Sequence, residues 1–270
     1  MMVSRRSVLW GVGGGLVGAN SPVSVAAQQG GQIRLSGEAL SGTSARIDGG
    51  EFVLADIVSP RRWRAYGREA PPNKVDPFTA HAMGELQELL DLGVSNLDFW
   101  KRDRWGRTIG RIRTGEGIDV QSRLVARGAV IVRPRSDDWS YIRGLLSLEA
   151  EARDAGLGIW AWRDNRVHNA NTDTGPLLAR NGHYTLVQGR LANQYDGSAR
   201  RYLNFGEDYK TDVTATIEKK VLRRWRRDRD VEAFEWLETL KNRTIRVRGH
   251  VSRINGTSIA VTHPCQIELL

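Results

Sequence analysis

At 270 residues and 30.2 kDa, with 40% hydrophobic residues, the chain has material for one large domain or two of ordinary size. Forty Lys and Arg against 31 Asp and Glu give a formal charge of +9, which favours anionic partners such as nucleic acid, although arginine-rich usage also fits solubility alone. The single cysteine, Cys265, excludes an intrachain disulfide and a thiolate metal cluster, so the folded protein must be held by its cores.

Ser4-Arg5-Arg6-Ser7-Val8-Leu9 is a twin-arginine start, followed by a weakly apolar, glycine-rich run to Val25 and small residues at Ala26 and Ala27. This pattern predicts a bacterial Tat export signal over residues 1–27 and a periplasmic or secreted protein; a Sec signal or a short anchor are the alternatives. Beyond it no stretch approaches the roughly 20 apolar residues of a spanning helix, so no membrane span is expected in the mature protein.

From Ile33 to Val58 the sequence predicts a strand meander broken by the tight turn Asp48-Gly49-Gly50. Arg61 to Asp76 is polar and rich in Pro, Arg and Lys, an excursion rather than an element. Pro77 opens a helix to Leu92, whose apolar face takes Phe78, Met83, Leu86, Leu89 and Leu90. Two strand-like runs, Val94 to Trp100 and Thr108 to Ile112, flank Asp103-Arg104-Trp105-Gly106-Arg107, a turn that either presents arginines to a phosphate or is a solvated hairpin. Helices follow over Val120 to Arg127 and Leu145 to Ala155, the second closed by Gly156 and Gly158. Curled strands with a helix between and helices at the end are the order of an OB-type barrel with appended helices.

The span from Gln32 to Trp162 resembles the staphylococcal nuclease (thermonuclease) family. The matching pieces are Ile47-Asp48-Gly49 before Phe52 to Ile57, Ser59-Pro60, Asp103 to Thr108, Asp119 through Arg127-Gly128-Ala129, and Glu149 to Arg153 leading to Gly158-Ile159-Trp160. The resemblance implies a nuclease that holds Ca2+ with two aspartates, positions water with a glutamate and stabilises the phosphoryl group with two arginines, as the chemistry of a hard cation and a highly charged transition state requires. Carried over by position, Ser41 stands at the first aspartate, Val53 at the first arginine, Val58 at the second aspartate and Arg61 at the glutamate; Arg107 alone keeps its identity. Losing these groups together should abolish that mechanism. Asp56, two residues before Val58, is a candidate surrogate ligand, whereas Glu38, Asp48 and Glu51 fit hairpin-surface charges. Arg61, Arg62, Arg64, Arg104 and Arg107 would turn the former active-site mouth into an anion-binding patch.

The polar stretch 165–181 reads as a linker to a second domain over residues 182–270. There, strands over Tyr184 to Ala192, Arg200 to Phe205 and Asp212 to Ile217 precede a helical run from Glu218 to Lys241 and a hairpin through Asn255-Gly256. The overall expectation is therefore a mainly β protein with helices (α+β), built of two OB-type barrels, the first thermonuclease-like over residues 28–164. The second half resembles a carboxy-terminal extension of some exported thermonuclease-like bacterial proteins, through Tyr202 to Gly206, Asp208, Asp212 and Arg246 to Gly249. Tyr202, Phe205 and Tyr209 are candidates for base stacking or for the core. Arg223-Arg224-Trp225-Arg226-Arg227 spreads its arginines around a helix, which fits a solvated helix with Trp225 turned inward.

The five histidines show no metal-binding spacing, no Gly-rich phosphate loop follows a strand, and no G-x-S-x-G elbow occurs, which removes zincins, dinucleotide and P-loop enzymes and typical hydrolases. The sequence leads to a thermonuclease-like protein without cofactor that binds DNA, RNA or another polyanion. An active phosphodiesterase using Arg107, with Ca2+ or nonstandard partners, and a periplasmic protein-protein scaffold are the alternatives.

Overall fold

The computed structural model describes residues 34–60, 76–228 and 232–270. The expected export signal at residues 1–27 and the segment carrying Arg61, Arg62 and Arg64 lie outside the described residues. Two compact units emerge: the first gathers the chain to Ser59 with Pro77–Val132 and Gly144–Gly158, the second Arg133–Arg143 with Ile159–Leu270.

In the first unit, β1 (Gly37–Ser41), β2 (Ser44–Ile47), β3 (Gly50–Leu54), β4 (Ile57–Val58), α1 (Pro77–Asp91), β5 (Val94–Arg102), β6 (Thr108–Thr114), α2 (Val120–Ala126), β7 (Ile131–Val132) and, from Gly144 on, α3 (Trp139–Asp154) follow in order. Five strands form a sheet ordered β1-β2-β3-β6-β5, parallel at β3–β6, and β4 pairs with β7. Leu35 and Val94 exchange two backbone hydrogen bonds of 2.8 Å, so the start of β5 meets the residue ahead of β1. Alternation puts Ala45, Phe52, Leu54 and Ile112 inside, with α1 contributing Phe78, Ala82, Leu86, Leu89 and Leu90. Met83, expected on that inner face, is 37% exposed; Ala82 takes the inner position instead, because only a methyl fits there against Gly42. The Gln87 side chain ties α1 to β1, accepting from Ala39 N at 2.8 Å and donating to Gly37 O at 3.2 Å. α3 begins a turn and a half before the expected helix, where Asp138 Oδ1 accepts from Tyr141 N at 3.1 Å.

In the second unit, residues 165–181 hold more than a polar connection: they carry β8 (His168–Asn169), parallel to the next strand, and α4 (Thr174–Ala179). Then come β9 (Tyr184–Arg190), β10 (Asn193–Asp196), β11 (Arg200–Asn204), β12 (Val213–Glu218), α5 (Lys219–Asp228), α6 (Glu232–Glu238), β13 (Thr244–Arg253), β14 (Thr257–Val261) and β15 (Ile267–Leu269). The sheet runs β10-β11-β12-β14-β13-β9-β8, with β15 also on β13. Asn255 and Gly256 both take positive φ at the β13–β14 turn, as the dipeptide demands, and a Cβ on Gly256 would fall 2.5 Å from Asp212 O. Trp225 is buried on α5 and donates its indole N–H to Thr262 O at 3.3 Å, while Arg223 and Arg224 are exposed. The mixed α+β class expected from the sequence is thus present in both units.

His168 is nearly fully buried at the start of the second unit, 3.4 Å from Asp173 Oδ2. Burial, then the Arg180 and Arg166 charges, push its pKa down to about 4 against the opposing pull of Asp173. The folded imidazole stays neutral while an unfolded one takes up a proton near the ordinary value of 6.5. Stability should therefore fall as pH drops from about 6.5 to about 4, by at most about 3 kcal/mol. Urea unfolding across that range should show the loss, and His168→Gln should flatten it.

Candidate functional site

Strand register brings three of the expected site positions onto the sheet face opposite Phe52 and Leu54, a half-buried face on which Ile109 is only 6% exposed. Ser41 pairs with Ser44, Ser44 with Val53, Val53 with Ile109, and Ile109 with Lys101, so one row crosses all five strands. Neighbours in a row share a face, and the inward positions here are Phe52 and Leu54, so the row lies on the opposite side. Residue 107, two before Ile109, is where the β5–β6 turn enters the same side. The fourth position is adjacent as well: a Cβ on Gly42 would lie 2.8 Å from Ser59 Oγ, so the β1–β2 turn abuts the chain immediately after Val58.

What these positions offer chemically is neutral. Ser41 Oγ shares a hydrogen bond of 2.6 Å with Ser44 Oγ and accepts from Thr43 N at 3.2 Å, and Val53 follows Ser44 along the row. Ca2+ takes 6–8 oxygen ligands, preferably anionic, and one serine hydroxyl with two valines is not such a donor set. Among the described residues no group of three or more His, Cys, Asp or Glu converges to hold a metal. Asp56 is only 1% exposed, at φ 61° in the β3–β4 turn, a carboxylate enclosed in the fold rather than set on the outward row. Glu38 forms a surface pair with Arg46 at 2.6 Å, and Asp48 and Glu51 are exposed hairpin charges.

The turn itself is highly ordered. Asp103 N donates to Arg107 O and Gly106 N to Asp103 O, both at 3.0 Å, with Gly106 at φ 81°. The Asp103 carboxylate accepts from Trp105 N at 2.9 Å and Arg107 N at 3.0 Å on Oδ1, and from Arg107 Nε at 2.8 Å on Oδ2. The Arg107 guanidinium lies 5.0 Å from the Trp105 ring centre, and that of Arg104 4.0 Å. Arg107 is therefore fixed and about one-third exposed, with its Nε engaged and its terminal nitrogens outside that ion pair.

Around it the hairpin carries Lys101, Arg102, Arg104, Arg107, Arg111 and Arg113, with Asp103 the one acidic residue from 101 to 113. Arg104 and Arg107 were expected here; Lys101, Arg102, Arg111 and Arg113 escape a motif search. Their signal is the period of two in β6, where Ile109, Arg111 and Arg113 alternate with Gly110 and Ile112 and so place the arginines on the outward face. Gln121 holds this strand from within, accepting from Ile112 N at 3.2 Å and donating to Gly110 O at 2.9 Å. Glu149, quoted above in the motif match, is wholly buried and accepts from Val132 N at 2.7 Å, a structural role.

Comparison with known proteins agrees with this arrangement. The family described as Staphylococcal nuclease homologue matches residues 51–162. Those residues form a staphylococcal nuclease-like domain. Two relatives, from Escherichia coli O157:H7 and Escherichia coli, each named "Uncharacterized endonuclease", are 25% identical to it over 118 residues, covering 44% of this chain and 74% of theirs. The nuclease-like domain thus includes the β5–β6 hairpin, Val53, Asp56, Val58 and Arg61, while Ser41 lies ahead of the matched span. Among the described residues, no helix is long and apolar enough to cross a membrane.

The Asp103 clamp makes the hairpin tip of the nuclease-like domain sensitive to acid. Desolvation raises the carboxyl pKa, but the hydrogen bonds from the Arg107 side chain and from the Arg107 and Trp105 backbones outweigh it, leaving the pKa below the ordinary aspartate value. A depressed carboxylate stabilises above its unfolded pKa, and that stabilisation is lost as pH falls through the folded one. The Arg107 Nε–H resonance should therefore keep its bonded shift down to below pH 4 and then move, and Asp103→Asn should remove the transition.

Proposed function

We propose that this is an exported thermonuclease-like protein that has lost metal-dependent cleavage and binds nucleic acid, or another polyanion, through the β5–β6 hairpin. The observation that carries the reading is the cluster of six hairpin cations, Arg107 among them, beside Ser41, Val53 and Val58 at the places of the family's charged groups. Cations without a metal and its base bind phosphate electrostatically, and Arg61, Arg62 and Arg64 would extend the patch. Ca2+ has no role in this reading. Export rests on Arg5-Arg6 and the glycine-rich run after them. We also infer that both sheets are OB-type barrels, which the Leu35–Val94 bridge and the parallel β12–β14 pairing support.

Mobility shifts with DNA and RNA over a salt series should show micromolar, salt-sensitive binding, and Lys101→Ala, Arg104→Ala and Arg113→Ala should each reduce the log–log salt slope by up to about one. Absence of salt-sensitive binding would sink the nucleic-acid reading. The name of the two relatives favours a second reading, an active endonuclease using Arg107. Digestion of plasmid and single strands with Ca2+, Mg2+ or EDTA should yield no cleavage; cleavage abolished by Arg107→Ala would establish the enzyme instead. Replacing Arg5 and Arg6 with lysine should retain the precursor in the cytoplasm of a bacterial host, measured by fractionation.

A further inference from the structure

A concavity of about 840 Å3 in the second unit lies on a sheet face, not on the nuclease-like hairpin. Register defines its floor. Tyr195 pairs with Tyr202 and Tyr202 with Thr216; one step along, Asn193 pairs with Asn204, Asn204 with Thr214 and Thr214 with Ser258. These residues occupy alternate positions of β10, β11, β12 and β14, so all stand on one face, opposite buried Leu203, Ala215 and Ile217. The Tyr195 and Tyr202 rings are 6.0 Å apart and tilted by 33°, and Tyr195 is 63% exposed. At another side, Asp208 and Asp212 organise the loop that carries exposed Tyr209: Asp208 Oδ1 accepts from Lys210 N and Asp212 Oδ2 from Asp208 N, both at 2.9 Å. Asn255 of the β13–β14 turn completes the lining.

We propose that this face binds an uncharged oligosaccharide chain. Three tyrosines offer flat apolar surfaces with polar tips, suited to the C–H faces of sugar rings, while amides and hydroxyls supply paired donors and acceptors for sugar hydroxyls. The Thr214 hydroxyl donates to Asn204 Oδ1 at 3.0 Å, which holds that amide in place on the floor. The volume falls within the roughly 300–1,000 Å3 of ligand sites.

Charge separates this ligand from a nucleic acid. A single-strand groove needs cations that track phosphates. Here the charged lining residues are Arg200, Lys241 and Glu207, and Arg200 is 3.5 Å from Glu218, so the floor is close to neutral. Strand geometry weighs against an extended peptide: β11, β12 and β14 are bonded on both sides, and β10, at the sheet edge, carries its unpaired backbone in the plane of the sheet, so the floor itself offers side chains rather than backbone. An oligosaccharide, which needs neither cations nor a free strand edge, fits both conditions.

Calorimetric titration of the full-length mature protein with chitohexaose, cellohexaose, maltohexaose and mannohexaose, beside a thymidine oligomer, tests the assignment. Saturable binding of at least one oligosaccharide is expected, insensitive to salt. Tyr195→Ala, at an exposed position that the fold tolerates, should weaken it on the order of tenfold, Tyr202→Ala at least as much, and Tyr195→Phe little. No binding across the oligosaccharides, or binding that survives Tyr195→Ala with Tyr202→Ala, overturns the proposal. Salt-sensitive binding of the thymidine oligomer that these substitutions abolish also overturns it, in favour of a single-strand groove. Arg104→Ala on the hairpin should leave oligosaccharide affinity unchanged, so the failure of either site is read separately.

Discussion

Everything at the candidate interface hangs on the closeness of the backbone at Gly110. A Cβ there would sit 1.9 Å from Asp98 O, so β5 and β6 can come together only because residue 110 has no side chain. The carbonyl of the same residue accepts from Ala55 N at 2.8 Å and from Gln121 Nε2 at 2.9 Å. One peptide thus joins the hairpin, the end of β3 and helix α2. A buried amide left without these partners would cost about 1–3 kcal/mol each time, which makes the junction hard to loosen piecemeal. It is this junction that sets Val53 beside Ile109 and delivers Arg107 to the outward row.

The second constraint is electrostatic. Six cations lie on one hairpin, where Asp98 stands opposite Arg111 in register, and the tip is held by the Asp103 carboxylate, which answers two backbone N–H groups and a guanidinium at once. Stacking of Arg104 and Arg107 over Trp105 adds a third partner for the cations. The second unit solves its charges differently. Arg248, fully buried, is paired with Glu268 at 2.6 Å, and Arg201 with Glu238 at 2.7 Å, so cations near that core are neutralised internally. Cations thus cluster locally on the first unit's hairpin, while the concave face of the second unit is close to neutral.

Local signals made much of this legible. Proline at the start of α1, Asn255-Gly256 and the glycine in the 103–107 turn each act within a few residues, and each element lies where those signals put it. Three kinds of feature were not legible. β8 and α4 lie in a polar, threonine- and asparagine-rich stretch whose order comes from pairing with β9 and from the Asp173 carboxylate, which accepts from Asn169 N at 3.1 Å. Phe205 and Tyr202 look equivalent by residue type as stacking candidates, yet Phe205 is in the core and Tyr202 on the open face, because they are three residues apart and alternation puts Phe205 with Leu203 on the buried side. Tyr195 is invisible without β10, whose Asn-Gln-Tyr-Asp carries no apolar alternation and becomes a strand only by pairing with β11. The candidate catalytic positions, by contrast, were placed from motif order, and strand register then put Ser41 and Val53 in one row with Ile109, next to the residue-107 turn.

That a nuclease-like scaffold should bind phosphates without cleaving them follows from what a lone arginine can do. Rate acceleration requires interactions stronger in the transition state than in the ground state. A metal with a positioned base supplies them, because the base removes the attacking water's proton and the metal meets charge that grows on the phosphoryl and leaving oxygens only as the bonds change. An arginine held by Asp103 and facing a phosphate diester meets charge that is already present before any bond is made or broken, so most of its interaction is spent equally on both states. Surrounding it with further cations strengthens that uniform attraction and speeds encounter without changing the difference. Neutral side chains at Ser41, Val53 and Val58 would leave the balance there, so that under the proposed function the hairpin that would clamp a transition state in a complete site holds phosphate instead.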